Sequence, residues 1–424
     1  MFLSVKNTGK LSLAEIEISG ITVIAGINNT GKSTVGRLLF CIFNSFYRID
    51  QQIETERKNR IRYVFGAEDY GDSFGLAGLF GAEEFAEHIF NNRASYENQE
   101  RMTEDLRSLY IQTDKSLEKH LSDDVLSSMS EKIMQILSIS DEEIFIAVFR
   151  RRLQAEFSMQ INNTKRPNMA SEIVLKIKER EIRVSVSEDE HIRVDDRFSL
   201  DTEVIYMDDP FVLDDSRQVY HSGDHRSHLA YKLLATNDDS PVKNAINEIL
   251  MSKRLEAILS KLDAVCRGEM ASRRTLSGFS ASYRESGSEM ALDIKNVSTG
   301  LKTFLMMKTL LLNGSLVENG IIVLDEPEIH LHPEWQLVFA EIIVLLQKEF
   351  SMHILLTTHS HYFLEAIDVF SHKHGTSSKC KYYQAEDVEW DAIINEVSAT
   401  ESIYERYARP LQVLENERYR HESF

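Results

Sequence analysis

Cysteine is nearly missing from this chain: Cys41, Cys266 and Cys380 are the only three in 424 residues. Odd in number and scattered, they exclude a disulfide framework and a cysteine zinc cluster, and the expected compartment is the cytoplasm. No apolar run approaches the ~20 residues of a membrane span, so no membrane partner is expected. The opening residues Met1-Phe2-Leu3-Ser4-Val5-Lys6 lack the basic-then-apolar order of a secretory signal and read as a first strand. Positive charge is also short: 67 acids against 48 bases leave a net charge of −19. Such a surface repels phosphate backbones and disfavours broad nucleic-acid binding. The local run Arg150-Arg151-Arg152 reads as a solvated helix face. Internal repeats, low-complexity tracts and sustained coiled-coil heptads are missing as well.

What remains is an ordinary globular composition, 42% hydrophobic and 27% charged. The length is too great for one simple core, which predicts a core with insertions or two domains. Two phosphate-handling elements stand at opposite ends of it. Ile21-Thr22-Val23-Ile24-Ala25 reads as a strand running into Gly26-Ile27-Asn28-Asn29-Thr30-Gly31-Lys32-Ser33-Thr34, an ungapped Walker A pattern. Gly26 and Gly31 let the backbone turn around phosphate oxygens, and the helix after them offers free N–H groups. Lys32 supplies a point charge to the β- and γ-phosphates, and Ser33 a hydroxyl to Mg²⁺. Val35, Leu38, Leu39, Ile42 and Phe43 continue at helical spacing. Downstream, Ile321-Ile322-Val323-Leu324 delivers Asp325 and Glu326 at a strand tip, and Pro327 stops the strand. Asp325 is the expected metal-side acid, and Glu326 the general base that polarises the attacking water.

Between these ends the texture changes. From Tyr47 to about Asn163 the chain is mostly helical and polar. Leu106, Leu109, Tyr110, Leu117 and Leu121 share one face; Val125, Met129, Ile133 and Ile136 the next; Ile144, Val148, Ala155 and Met159 a third. Phe65 to Gly81, rich in glycine and aromatics, reads as loop. Alternation at Ile173, Leu175, Ile177 and at Ile182, Val184, Val186 predicts a hairpin with one wet face, and Thr202 to Met207 a further strand. Ser240 with Pro241 predicts a helix start, opening helical segments with apolar positions from Val242 to Val265. The expected division is 1–46, an N-terminal ATPase lobe with Walker A; 47–165, a helical insertion; and 166–222, β-strands of the ATPase lobe. Next come 223–275, a short helical arm; 276–375, a C-terminal lobe with the catalytic motifs; and 376–424, a strand and helix tail.

Two further segments define a family. Asn296-Val297-Ser298-Thr299-Gly300-Leu301-Lys302 precedes a helix carrying Phe304, Leu305, Met307, Leu310 and Leu311. By its chemistry it is a small-residue loop at a helix N-terminus, suited to a γ-phosphate, or else a plain serine N-cap. Strand Ile354-Leu355-Leu356-Thr357-Thr358 ends at His359-Ser360. The first segment resembles the ABC-ATPase signature, with Ser298 and Gly300 in the serine and second-glycine positions, Thr299 for the usual first glycine and Leu301 for glutamine. His359 stands in the place of the ABC switch histidine. Leu324-Asp325-Glu326-Pro327-Glu328-Ile329-His330-Leu331-His332-Pro333-Glu334-Trp335-Gln336 resembles the OLD-like branch of ABC-class ATPases, often grouped with AAA proteins. The resemblance covers Met1 to Gly36 and Asn296 to Ala366 and is only general between them. The stretch Ile403-Tyr404-Glu405-Arg406-Tyr407 with Pro410-Leu411 is similar to the tail of small stand-alone members.

This resemblance implies an α/β fold, an ABC-type ATPase head: a P-loop NTPase with a mixed sheet and an antiparallel β-subdomain, carrying the helical insertion and arm. It implies ATP and Mg²⁺ as cofactors, and Lys32, Glu326 and His359 as catalytic residues. Gly26, Asn28, Asn29, Thr30, Gly31, Lys32, Ser33 and Thr34 would contact nucleotide with Ser298 and Gly300, and Ser33 and Asp325 would hold the metal. ABC-type proteins form head-to-head dimers, each nucleotide lying between one P-loop and the partner's signature. His332 stands where many relatives carry the D-loop aspartate, and His330 and His332 are expected in interface or capping roles rather than on a metal. About fifty residues follow the switch-histidine region, too few for the Toprim nuclease of OLD-type enzymes. The effector is therefore expected to be a separate nuclease or toxin, with a phage-encoded trigger, as in retron/Septu-type and PARIS-type anti-phage systems. The alternative is an SMC-like repair or recombination ATPase acting directly on nucleic acid, against which the acidic charge and the missing coiled coil count. A transporter ATPase subunit is a third reading, disfavoured by the helical insertion.

Overall fold

The computed structural model describes residues 1–66, 75–113, 122–158, 160–214, 223–234, 245–275, 278–398 and 400–422. The chain divides into two compact units. One is Met1–Asn44 with Arg150–Phe198 and Thr202–Phe424; the other is Ser45–Phe149 with Ser199–Asp201.

In chain order, β1 (Phe2–Thr8), β2 (Leu11–Glu17) and β3 (Ile21–Gly26) lead into α1 (Lys32–Phe46). Helices α2 (Ile49–Gly66), α3 (Gly75–Asn91), α4 (Gln99–Thr113), α5 (Asp123–Ser138) and α6 (Asp141–Phe157) follow. Strands β4 (Ser171–Ile177), β5 (Arg180–Val186), β6 (Ile192–Asp195) and β7 (Val204–Met207) precede α7 (His225–Leu234) and α8 (Ala245–Val265). Then come β8 (Gly268–Thr275), β9 (Gly278–Glu285), β10 (Leu292–Asp293), α9 (Thr299–Leu312), β11 (Ile321–Asp325) and α10 (Pro333–Phe350). The chain closes with β12 (His353–Thr358), α11 (His361–His374), β13 (Cys380–Val388), β14 (Asp391–Val397) and α12 (Glu401–Glu422).

The first unit is built on an 11-stranded mixed sheet in the order β6-β5-β4-β1-β2-β14-β13-β3-β12-β11-β7. Strands β13, β3, β12, β11 and β7 pair in parallel, whereas β6, β5, β4, β1 and β2 pair antiparallel. This is the α/β class with an antiparallel extension that the motifs implied. The continuous apolar runs explain the parallel part, since every residue of β3 and β11 is buried, as covered parallel strands require. Alternation explains the rest: Ile173 and Leu175 of β4 and Ile182 and Val184 of β5 point inward while their neighbours do not. Register matters most for function. Ala25 lies beside Thr358 and Asp325 beside Thr357, so the carboxyl ends of β3, β12 and β11 finish at one edge. That edge is where parallel α/β sheets bind ligands.

The expected arm is anchored to this unit: Ile258, Leu262 and Cys266 are fully buried in its core, and Lys261 pairs with Glu341 of α10. Lys373 and His374 of α11 converge on the same carboxylate. The predicted helix start at Ser240 and Pro241 lies outside the described residues, as do Leu117, Leu121 and Met159.

The second unit has its own core, with Ile61, Phe65, Phe85, Leu106, Tyr110, Met129 and Ile133 buried together. Phe85 meets Phe65 and Tyr110 edge-on at centroid distances of 5.4 and 5.2 Å. Ser122 caps α5 by accepting from the Val125 N–H. Arg57 donates to the carbonyls of Ile136, Leu137 and Ile139 and to Asp141, satisfying the C-terminal end of α5. Two expectations need correction. Helix α3 begins at Gly75, so the last part of the glycine-rich stretch is helical rather than loop, because Ala82, Phe85, Ala86 and Ile89 give it an apolar face to bury. The compact helical unit also stops at Phe149, short of 165: the rest of α6, to Phe157, belongs to the first unit, and past the helix Gly9 N–H donates to the Ile161 carbonyl and Asn163 N–H to the Asn7 carbonyl.

Candidate nucleotide site

The phosphate loop follows directly from β3. Residues 27–29 are exposed, and Thr30 turns inward to donate its hydroxyl to the Ile27 carbonyl at 2.8 Å. Asn29 (φ 63°) and Gly31 (φ 79°) both take the left-handed backbone, which a short polar side chain tolerates and glycine adopts freely. At Gly31 a Cβ would also lie 2.7 Å from Leu11 Cδ2. Helix α1 then starts at Lys32 and buries Val35, Leu38, Leu39 and Ile42 beneath the loop. Lys32 is buried, and its Nζ donates to the carbonyls of Gly26 at 3.0 Å and Ile27 at 2.9 Å. Ser33 and Thr34 sit half-buried in the first turn.

The acids stand opposite. Asp325 ends β11 in the interior, where Tyr206 donates to Oδ2 at 2.7 Å and Thr357 donates to Oδ1. Glu326 leaves the strand with φ 49°, a left-handed conformation rare outside glycine. Its N–H is fixed by the carbonyl and hydroxyl of Thr357, each at 3.1 Å. The side chain lies between Lys32 and His359: Oε1 is 3.3 Å from Lys32 Nζ, and Oε2 is 3.4 Å from His359 Nδ1. Glu328, which sequence reasoning gave no role, is buried beneath. Desolvation pushes its carboxyl above the usual range, while Thr358 Oγ1 donates to it at 2.5 Å and His359 N–H at 3.3 Å. Glu328 therefore anchors the backbone that carries His359.

The predicted signature lies apart from this cluster. Ser298 occupies the N-cap of α9 but its side chain makes no capping bond, and it is exposed. Among the described residues no hydrogen bond or ion pair joins Ser298 or Gly300 to the phosphate loop or to Glu326. Gly300 is closed in by its own chain: a Cβ there would lie 2.8 Å from the His330 carbonyl and 3.2 Å from Trp335. Behind it, Lys302 is buried, pairs with Asp214 at 2.6 Å and sits 5.5 Å over the Phe211 ring. His332 caps α10, its Nδ1 accepting from Glu334 N–H, and His330 meets the Phe211 ring edge-on. Among the described residues no cluster of histidine, cysteine and acids could enclose a metal ion.

The structure thus brings together Gly26, Lys32, Asp325, Glu326 and His359, and holds Ser298 and Gly300 elsewhere. Sequence reasoning missed Tyr206, Thr357 and Thr358, which aim the acids, and Tyr407 of α12. The Tyr407 hydroxyl donates to the Thr358 carbonyl at 3.4 Å, and its ring centre is 6.3 Å from His361. The only signal for Tyr407 was its place in a recognisable tail. No helix among the described residues is long and apolar enough to cross a membrane.

Comparison with solved structures returns SMC heads. An SMC head bound to the C-winged helix domain of ScpA is 13% identical with a TM-score of 0.42, over 95% of this chain and 98% of the other. The SMC head domain of Thermotoga maritima gives 12% and 0.38, over 94% and 98%. An SMC head with an extended coiled coil, bound to the C-terminal domain of ScpA derived from Pyrococcus furiosus, gives 13% and 0.39, over 98% of each. No curated protein matches the chain. Residues 1–364 match the family model described as AAA ATPase domain, so the chain belongs to that family and is an ATPase.

Proposed function

We propose that this ATPase is a scaffold that closes as a head-to-head dimer around ATP and, through that closure, controls a separate nuclease or toxin in anti-phage defence. Lys32 and the N–H groups of residues 27–33 bind the phosphates. Glu326 polarises the attacking water, and His359 orients the γ-phosphate side of the site. Asp325 fits a hard cation: its oxygens accept one hydrogen bond each and keep lone pairs, and Ser33 offers a second oxygen from the loop. Magnesium bound there would offset the phosphate charge.

The observation that carries the dimer is Ser298. Its hydroxyl is exposed at a helix N-terminus, makes no capping bond and, among the described residues, makes no bond to its own phosphate loop. A group so placed suits the γ-phosphate held by a second copy. The defence role rests on the OLD-like motif from Leu324 to Gln336, and the net charge of −19 argues against direct tracking of nucleic acid.

The experiment is sedimentation of Glu326→Gln protein with Mg-ATP. The variant should turn over about 10²–10⁴-fold more slowly and accumulate as a dimer, and adding Ser298→Arg should return it to monomer with ATP still bound. A dimer untouched by Ser298→Arg would reject the shared site. Purification from native cells should then capture a nuclease or toxin, whereas tight, salt-sensitive DNA binding by the chain alone would favour the SMC-like reading.

A further inference from the structure

Beside the acid strand the first unit holds a charged cluster that none of the catalytic roles uses. Strand β7 runs beside β11 and ends at Met207, so Asp208 emerges next to the acid strand. Helix α6 brings Glu156, and α7 begins with His225 between the two carboxylates. His225 Nδ1 lies 2.8 and 2.9 Å from the Glu156 oxygens, and Nε2 lies 3.0 Å from Asp208 Oδ2. Arg226 donates to the same Asp208 oxygen at 3.1 and 3.2 Å. His225 is 4% exposed. Both ring nitrogens face carboxylates, and only the imidazolium can donate from both. Burial works against that charge, but the hydrogen bonds it donates to Asp208 and Glu156 outweigh burial and raise His225 to about 9. Phe40 of α1 closes the remaining side, its ring edge-on to the imidazole at 6.1 Å.

The imidazolium packs against Tyr206 with ring centres 4.4 Å apart and the planes tilted by 44°. Tyr206 also packs against the phosphate-loop helix, where a Cβ on Gly36 would come within 2.9 Å of Cε2. The ring has no room to swing, and its hydroxyl points at Asp325 Oδ2, 2.7 Å away. A buried ion cluster placed only for stability would have no need of a tyrosine aimed at the acid strand.

We propose that His225, held by Glu156 and Asp208, is a positioning residue of the ATPase reaction: it clamps Tyr206, whose hydroxyl sets the orientation in which Asp325 meets the metal. This rests on the reading of Asp325 as the metal-side acid, and the test separates the two.

The probe is Mn²⁺, followed by electron paramagnetic resonance on the full chain with ATP present, alongside metal-free ATP binding and thermal melting. His225→Gln is expected to weaken Mn²⁺ binding by about 10–100-fold, the usual effect of removing an outer partner of a metal ligand, with metal-free ATP binding unchanged. Tyr206→Phe, which deletes one hydroxyl, should do the same, and the double variant should be no worse than Tyr206→Phe alone. If His225→Gln does not fold, Tyr206→Phe still decides. Lowered melting temperatures with unchanged Mn²⁺ affinity would overturn the proposal, as would effects of the two substitutions that simply add. Asp325→Asn distinguishes the levels. Weaker Mn²⁺ binding in Asp325→Asn alone rejects only the positioning role; unchanged binding there rejects the metal-side assignment and the proposal with it.

Discussion

The Lys32 amino group lies 3.3 Å from a carboxylate oxygen of Glu326 while donating to the carbonyls of Gly26 and Ile27. The residue expected to grip the phosphates is thus paired with the residue expected to activate water. The pair is mostly buried, so its charge is neutralised locally rather than by solvent. On the proposed function, an incoming triphosphate would take over this lysine and so free Glu326 for water. Binding and activation would then be linked by one exchange of partners.

Lys32→Ala should therefore reduce ATP affinity by about 10²-fold or more, the cost of losing a buried charge-assisted contact. Fluorescent-nucleotide titration reads it directly. Full ATPase activity in this variant would refute the phosphate-loop assignment.

Gly300→Val tests the signature loop without adding charge. The new side chain meets the His330 carbonyl and Trp335, forcing α9 away from the start of α10. A loss of about 1–3 kcal/mol in unfolding free energy is expected, together with loss of ATP-dependent dimerisation. ATP binding by the monomer should persist. Normal dimerisation would show that this loop does not form the interface.

Acid should act on Glu341. Burial raises its carboxyl, but Lys261, Lys373 and His374 outweigh that and bring it from 4.5 down to about 2. A depressed folded value gives stability that is complete above pH 4.5 and is lost as pH falls toward 2. Glu341→Gln should cost about 2 kcal/mol at pH 7, less than a fully enclosed pair because Lys373 is half exposed. Urea titrations should show the gap from wild type shrinking below pH 4.5. A gap constant with pH would mean that the ion pairs are not its source.

Much of the site could be read from the chain because its chemistry is local. Gly26 to Thr34 and Ile321 to Glu326 each carry their own strand, turn and functional group in a few consecutive positions. The antiparallel hairpin was legible for the same reason, as its two halves are nearly contiguous and strictly alternating. What stayed hidden depends on which strands become neighbours. Tyr206 meets Asp325 only because β7 lies next to β11, a pairing that neither segment's periodicity encodes. Glu156, Asp208 and His225 are likewise ordinary residues until three separate elements converge. The N-terminal turns of α3 were missed for another reason: glycine content speaks against a helix locally, and an apolar face downstream overrules it.

The backbone at Glu326 carries a final consequence. A φ of 49° is a shape that glycine adopts without penalty and that a side chain holds at a cost of about 1 kcal/mol. Removing the carboxylate by Glu326→Gly would thus relax the polypeptide where it disarms the chemistry. If Glu326 is the general base proposed, screens for heat tolerance alone would drift toward an inert variant.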